Sequence, residues 1–276
     1  MASLLNELLG RNARLVVLTG AGVSAEAGIP TYRDDDGQWL SGRPIQHQEF
    51  ISSESSRRRY WARSLVGWRR VAASKPARAH HALARLEASG HVRLLATQNV
   101  DRLHQQAGHR EVVDLHGRID RVGCLACGRF ITRAEMQDAL EATNPGHADT
   151  AARLIRPDGD ADIDERRLDG FGVPGCGDCG GVLMPDVVFF GGTVPVERGA
   201  RIADAIARCD ALLAVGTSLM VYSGYRFCRL AHELGKPLVI LNRGRTRADD
   251  LADELLREDC GEVLERLAGR PEGSPA

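Results

Sequence analysis

The stretch RLVVLTGAGVSAEAGIPTYR, residues 14–33, decides how this chain is read. Arg14 to Thr19 is a short apolar run ended by glycine, the pattern of a strand buried on both faces of a parallel sheet. Gly20 and Gly22 follow at once. They let the backbone turn sharply and approach a pyrophosphate. A helix is expected to start near Ser24 and aim its N–H groups and dipole at that phosphate. The third glycine, Gly28, comes later than in the usual dinucleotide fingerprint, so the loop alone is equally compatible with a plain turn.

Working outward, three more apolar runs have the same character: Val92 to Thr97, Ala211 to Val215 and Leu238 to Asn242. Helix-like stretches lie between them, His80 to Ser89, Arg198 to Arg208 and Tyr222 to Leu234. The first and last are closed by Gly90 and Gly235. The alternation predicts an α/β fold, a doubly wound parallel sheet of Rossmann type. Ligands bind such sheets at the carboxyl edge. There the strand ends bring together Gln98, Asn99, Val100 and Asp101, then Gly216, Thr217 and Ser218, then Asn242, Arg243 and Gly244. The polar run from Thr31 to Gly37 is placed to cover whatever binds.

Two stretches interrupt the rhythm and predict a smaller domain. Residues 34–75, rich in Arg and Ser and carrying Trp39, Trp61 and Trp68, read as a helical module. Residues 118–183 hold two Cys-x-x-Cys pairs, Cys124/Cys127 and Cys176/Cys179, each followed by glycine. Four thiolates on two tight turns suit one closed, structural Zn²⁺ site. The remaining stretches, 1–33, 76–117 and 184–276, form the large domain. Within the second interruption, Arg156 to Glu165 is acidic but lacks EF-hand spacing, and reads as a solvated connecting loop. Pro185 is expected to end a loop ahead of the next strand.

The 276 residues are 43% hydrophobic, enough for a real core, with a formal net charge of −1. That balance argues against a dedicated nucleic-acid binder. No apolar run approaches the ~18 residues of a membrane span. Seven cysteines, an odd number, do not make a disulfide framework. With no basic apolar leader at Met1 to Glu7, a cytoplasmic location is expected.

The motifs GAGVSAEAGIPTYR (20–33), TQNVDRLH (97–104), DLHG (114–117), the cysteine pairs, MPDVVFFG (184–191), GTSLMVYSG (216–224) and LNRG (241–244) together resemble the sirtuins, in the family's order and over roughly 14 to 260. RRYWARSLVGW (58–68) and SGYRF (223–227) are most similar to the class II branch. The resemblance implies an NAD-dependent protein-lysine deacylase that uses NAD as cosubstrate and yields nicotinamide, lysine and O-acyl-ADP-ribose. It implies that His116 is the catalytic base and that Asn99 and Asp101 act at the nicotinamide, with Gln98 beside the ribose. Ala21, Ala25, Tyr32 and Arg33 correspond to the loop over the cofactor. Thr217 and Ser218 correspond to phosphate and ribose contacts, Asn242 to Gly244 to the adenosine side, and Cys260 to a position near adenine. Val187, Val188, Phe189, Phe190 and Gly191 correspond to the strand edge that pairs with an acyl-lysine peptide.

The chain also departs from the family pattern. Arg102 stands where a small residue is usual, and Gly192 where an acidic one often follows FFG. Tyr60 and Arg63 have the spacing of the class III clamp for acidic acyl groups. Counted back from Pro76, however, that clamp falls at Ser64 and Gly67. Acetyl or longer apolar acyl groups are therefore the expected substrates. The alternatives are mono-ADP-ribosyl transfer at the same cofactor site and a non-catalytic NAD-binding scaffold. His80 and His81 read as helix-surface or packing residues.

Overall fold

A computed structural model of the chain describes residues 3–40, 44–147, 156–163, 168 and 170–269. Six strands form one parallel sheet: β1 (Leu15–Thr19), β2 (Val92–Thr97), β3 (Val112–Asp114), β7 (Ala211–Val215), β8 (Leu238–Leu241) and β9 (Glu254–Leu256), in the order β3-β2-β1-β7-β8-β9. The chain works outward from β1 to one edge, then returns to β1's other side. The direction of build therefore reverses between β1 and β7, the switch point where such sheets bind ligands.

Strand β1 shows why the sheet is wound on both faces. All five of its residues are buried. Leu15 and Val17 pack with Leu83 and Leu86 of α4 (Arg78–Ala88) and Val263 and Leu264 of α9 (Cys260–Ala268). Val16 and Leu18 face the other way, onto Ile202 and Ile206 of α7 (Val196–Arg208) and Phe227 and Ala231 of α8 (Tyr222–Glu233). The alternation is the period-2 rule for strands. Each such side chain stabilises the sheet by about 1.5–3 kcal/mol on burial.

The smaller domain is built from both interruptions. The first supplies α2 (His47–Ser52) and α3 (Glu54–Ala73). The second supplies an antiparallel sheet, β5 (Phe130–Thr132), β4 (Gly117–Cys124) and β6 (Leu183–Val187), together with α6 (Arg133–Thr143); β6 runs past the expected boundary at 183. They share one core: Trp61 and Leu65 of α3 pack with Met136 and Leu140 of α6 and Val122 of β4. Arg133, only 1% exposed, fastens the two pieces. Its guanidinium donates to the carbonyl and hydroxyl of Ser64, each at 3.0 Å, and to Gln137 Oε1 at 2.8 Å. It also lies against the rings of Trp61 and Trp68.

Three expectations are corrected. No α-helix starts near Ser24; a single 3-10 turn, Ala21–Ser24, follows β1 and gives way to tight turns. The reason is local: Gly22 donates its N–H to Gly216 O at 2.8 Å, and a Cβ on Gly22 would lie 2.8 Å from Gly216 Cα. The loop is pinned to the next strand end before a helix can form. Pro185 lies inside β6 opposite Val122, at the edge of its sheet, where a missing donor is tolerated. The acidic segment from Arg156 is not solvated: Arg156, Asp160 and Ala161 are buried. Its last residues, 164 and 165, lie outside those described, as do 1–2, 270–276 and part of the second interruption.

Candidate active site

A cavity of about 900 Å³ opens along the carboxyl edge of the large sheet and runs under the small domain. One end is walled by Gly20 to Ser24, Thr217, Asn242 and Cys260. The other is walled by Ile45, Tyr60, Ile119, Val187, Phe189 and Asp158. His116 lies on the lining between them. The strand ends converge on this space because all six strands run in parallel and β1 and β7 meet here.

The state of His116 follows from its two hydrogen bonds. Its Nδ1 sits 3.0 Å from the carbonyl oxygen of Gln98, which can only accept. Nδ1 therefore carries the proton, and Nε2 presents a lone pair, 2.7 Å from the Ser223 hydroxyl. Burial, reinforced by the nearby guanidinium groups of Arg198 and Arg226, lowers its pKa to about 4, against the counteracting bond to Gln98. At neutral pH this imidazole is an uncharged base aimed at the cavity.

A second network holds the loop residue Asn99. Ala77 donates its N–H to His80 Nδ1 at 3.1 Å, so His80 Nε2 carries the proton and donates to Ser24 Oγ at 3.3 Å. Asn99 Nδ2 donates to the same oxygen at 3.1 Å and to Gly20 O at 3.0 Å. Ser24 in turn donates to Asp101 Oδ2 at 2.7 Å, and Asp101 Oδ1 accepts from Leu103 N. Every donor has an acceptor, and the direction of each bond is forced. Asp101 is 7% exposed, and burial raises its pKa.

His80 is therefore neither a surface residue nor mere packing, which corrects the sequence reading; His81 does face solvent. His80 and Ser223, which sequence reasoning passed over, are bonded to Ser24 and to His116. The signal for Ser223 was its place in GTSLMVYSG. For His80 there was only an unexplained polar residue on the apolar face of α4.

Gln98 reaches across from β2 to Thr217 Oγ1 at 2.9 Å, joining two of the expected cofactor residues. Gly216 has φ +58, which glycine adopts freely. Ala21, Ala25, Tyr32, Arg33, Val100, Ser218, Arg243 and Cys260 all line the cavity. Gly244 does not; a Cβ there would lie 2.3 Å from Asp35 O, so it seats the polar loop instead. That loop folds over the opening with Tyr32, Trp39 and Phe190 in mutual edge contact and Arg33 4.0 Å from the Trp39 ring centroid.

The expected peptide-pairing edge is only partly strand. β6 ends at Val187, and Val188 donates its N–H to His116 O at 2.8 Å. Phe190 O is taken by His47 N at 2.8 Å. Phe189 is buried in the small-domain core while Phe190 faces the loop, as neighbours on an extended chain must. Arg102 turns away from the cavity: it holds Asp114 in an ion pair, from a left-handed backbone with φ 68. Arg63 is no free clamp, because its Nε lies 2.6 Å from Asp160 Oδ1.

The four cysteines meet in space, with all sulfurs within 4.8 Å of one another. Cys124 and Cys179 sulfurs are 3.5 Å apart and those of Cys127 and Cys176 3.8 Å. Tetrahedral zinc with bonds of about 2.3 Å places its sulfurs about 3.8 Å apart, so the group fits. The glycines after the pairs, Gly128 and Gly180, both have φ above +70. Among the described residues no helix is long and apolar enough to cross a membrane.

Comparison with known proteins is consistent over nearly the whole chain. Residues 20–223 match the Sir2 family. A Xanthomonas campestris NAD-dependent protein deacetylase is 52% identical over 97% of this chain and 91% of its own length. An Arabidopsis thaliana NAD-dependent protein deacylase, SRT2, is 46% identical over 95% of this chain and 74% of its own. A solved Sir2 complex with a p53 peptide and NAD⁺ superposes with a TM-score of 0.76 at 28% identity, covering 95% of each chain.

Proposed function

This chain belongs to the Sir2 family, and we propose that it is an NAD-dependent protein-lysine deacylase acting on acetyl or longer apolar acyl groups. The observation that carries the reading is the neutral His116 on the lining of a cavity with a glycine-loop end and an apolar end, its Nε2 lone pair met by the Ser223 hydroxyl on the same lining. The cavity has the size and the two-sided chemistry for a dinucleotide and an acylated side chain together. The close approach of Gly22 to Gly216 keeps its floor free of side chains.

NAD, when bound, supplies an electrophilic ribose carbon with nicotinamide as a neutral leaving group. Gly20, Ala21, Gly22, Thr217, Ser218, Asn242 and Arg243 would hold its phosphates and sugars. Asn99, fixed by Ser24 and Gly20, would orient the nicotinamide end. Asp101 acts through Ser24 and is a positioning residue. His116 takes a proton from a ribose hydroxyl at Nε2, with Gln98 O holding the opposite Nδ1–H as positive charge develops. The acyl-lysine would enter beside Val187 to Gly191, its acyl chain passing toward Tyr60 and Phe189. Zn²⁺ on Cys124, Cys127, Cys176 and Cys179 would hold the small domain together without touching substrate.

Purified protein incubated with NAD and a panel of acylated peptides should release nicotinamide in step with deacylation. Absence of both for every peptide would overturn the reading.

A further inference from the structure

We propose that Asp158 selects the acyl group: its carboxyl faces the apolar end of the cavity, bars acyl chains that end in a carboxylate and favours those that end in a hydrogen-bond donor. The inference rests on the deacylase reading above and concerns the far end of the same cavity.

Asp158 is part-buried and lines the cavity. Tyr32 lines the same cavity. Tyr60, Ile45 and Phe189 complete this end. With Asp160, which also lines the cavity, the carboxyl is a strong acceptor in a largely apolar wall, where an unpaired polar group of the wrong kind costs most.

The segment that presents it is docked, not draped. Gly67 of α3 meets Gly159 so closely that a Cβ on Gly67 would lie 2.1 Å from Gly159 O. Arg63, also on α3, donates to Ala161 O at 2.9 Å and pairs with Asp160. Arg156 pairs with Asp160 from the segment's own start. Asp160 N donates to Asp158 Oδ1 at 3.2 Å, which fixes the carboxyl's direction. Two guanidinium groups pair with Asp160 directly, and Arg156 also favours the charged form of Asp158.

A carboxylate-ended acyl chain would bring another negative charge beside Asp158 and Asp160. One of them would have to take up a proton, or the arriving group would, and either costs binding energy. Burial already raises the pKa of both residues, that of Asp160 to about 6, so the pair has little tolerance for more charge. A hydroxyl or amide N–H at the same place would instead find an acceptor waiting.

The test compares matched acyl-lysine peptides that differ only at the chain end: pentanoyl, 5-hydroxypentanoyl and glutaryl, and the eight-carbon series octanoyl, 8-hydroxyoctanoyl and suberyl, with acetyl alongside. Wild-type kcat/KM should rank hydroxyl at or above methyl, and both well above carboxylate, in at least one series. Asp158→Asn should narrow the methyl-to-carboxylate ratio by at least about tenfold, whereas Asp158→Glu should keep it. Ratios within one protein sample are insensitive to a partly unfolded fraction, so a less stable variant still answers. A ratio unchanged in Asp158→Asn, or a wild-type preference for carboxylate ends, overturns this inference alone. Failure of the wild type on every peptide, acetyl included, overturns the deacylase reading instead.

Discussion

The carbonyl oxygen of Gln98 holds His116 Nδ1 at 3.0 Å, and through that bond the end of one sheet strand decides which nitrogen of the imidazole carries the proton. Gln98 also bonds Thr217 through its side chain, so the same residue reaches past β1 to the end of β7. The base is set by the scaffold rather than by the ligand. His116→Ala should lower kcat by about 10²–10⁴-fold, the usual range for a positioned base, with the thermal unfolding midpoint little changed.

Since burial holds His116 near pKa 4, below its ordinary 6.5, it stays a competent base as the solution is acidified. The acid limb of kcat/KM should therefore fall well under pH 6.5. A pH–rate profile between 4.5 and 8, with folding checked at each point, measures it. A midpoint at 6.5 would show that the histidine is not shielded as described.

Stability should respond to acid over a defined window. His80, at about 3, and His104, also well below 6.5, are both buried and neutral. Below pH 6.5 the unfolded chain takes up protons at these histidines that the folded chain refuses, so their contribution lowers stability as pH drops from about 6.5 toward 4, opposed in part by the raised carboxyl of Asp160. Urea midpoints at pH 7.5, 6 and 5 should decline in that order, and His80→Gln should shallow the decline.

Gly22→Ala places a methyl group 2.8 Å from Gly216 Cα and O. Backbone must move, at a cost of about 1–3 kcal/mol. The KM for NAD in nicotinamide release should rise more than the KM for peptide, because the shifted loop lines the dinucleotide end.

The cysteine cluster predicts one zinc per chain by elemental analysis. Cys176→Ser, or prolonged chelation, should lower the unfolding temperature. The loss should appear first in near-ultraviolet signals from Trp61 and Trp68, which sit in the small-domain core or against Arg133.

The parallel sheet was readable because β1, β2, β7 and β8 are apolar runs closed by glycine or polar residues, and each stands within a residue of its expected bounds. β3 and β9 were not seen: three residues each, at the sheet edges, they carry too little pattern. The cysteine pairs were legible because tight turns and soft ligands leave a local signature. What could not be read was anything decided by long-range approach. The missing helix after β1 depends on Gly216, nearly two hundred residues on. His80's role depends on Ser24, and the burial of the 156–161 segment on Gly67. An acidic, turn-rich composition ordinarily means solvent. Here two arginines and a glycine-on-glycine contact reverse that.

Arg133 ties Ser64 to α6 from inside a shared core, although the two lie in separate interruptions of the large domain. Neither insertion is therefore an independent cassette. A chimera that borrows the first from a distant relative must borrow the second with it, or leave a guanidinium stranded in hydrocarbon. Drift in one piece is answerable to the other.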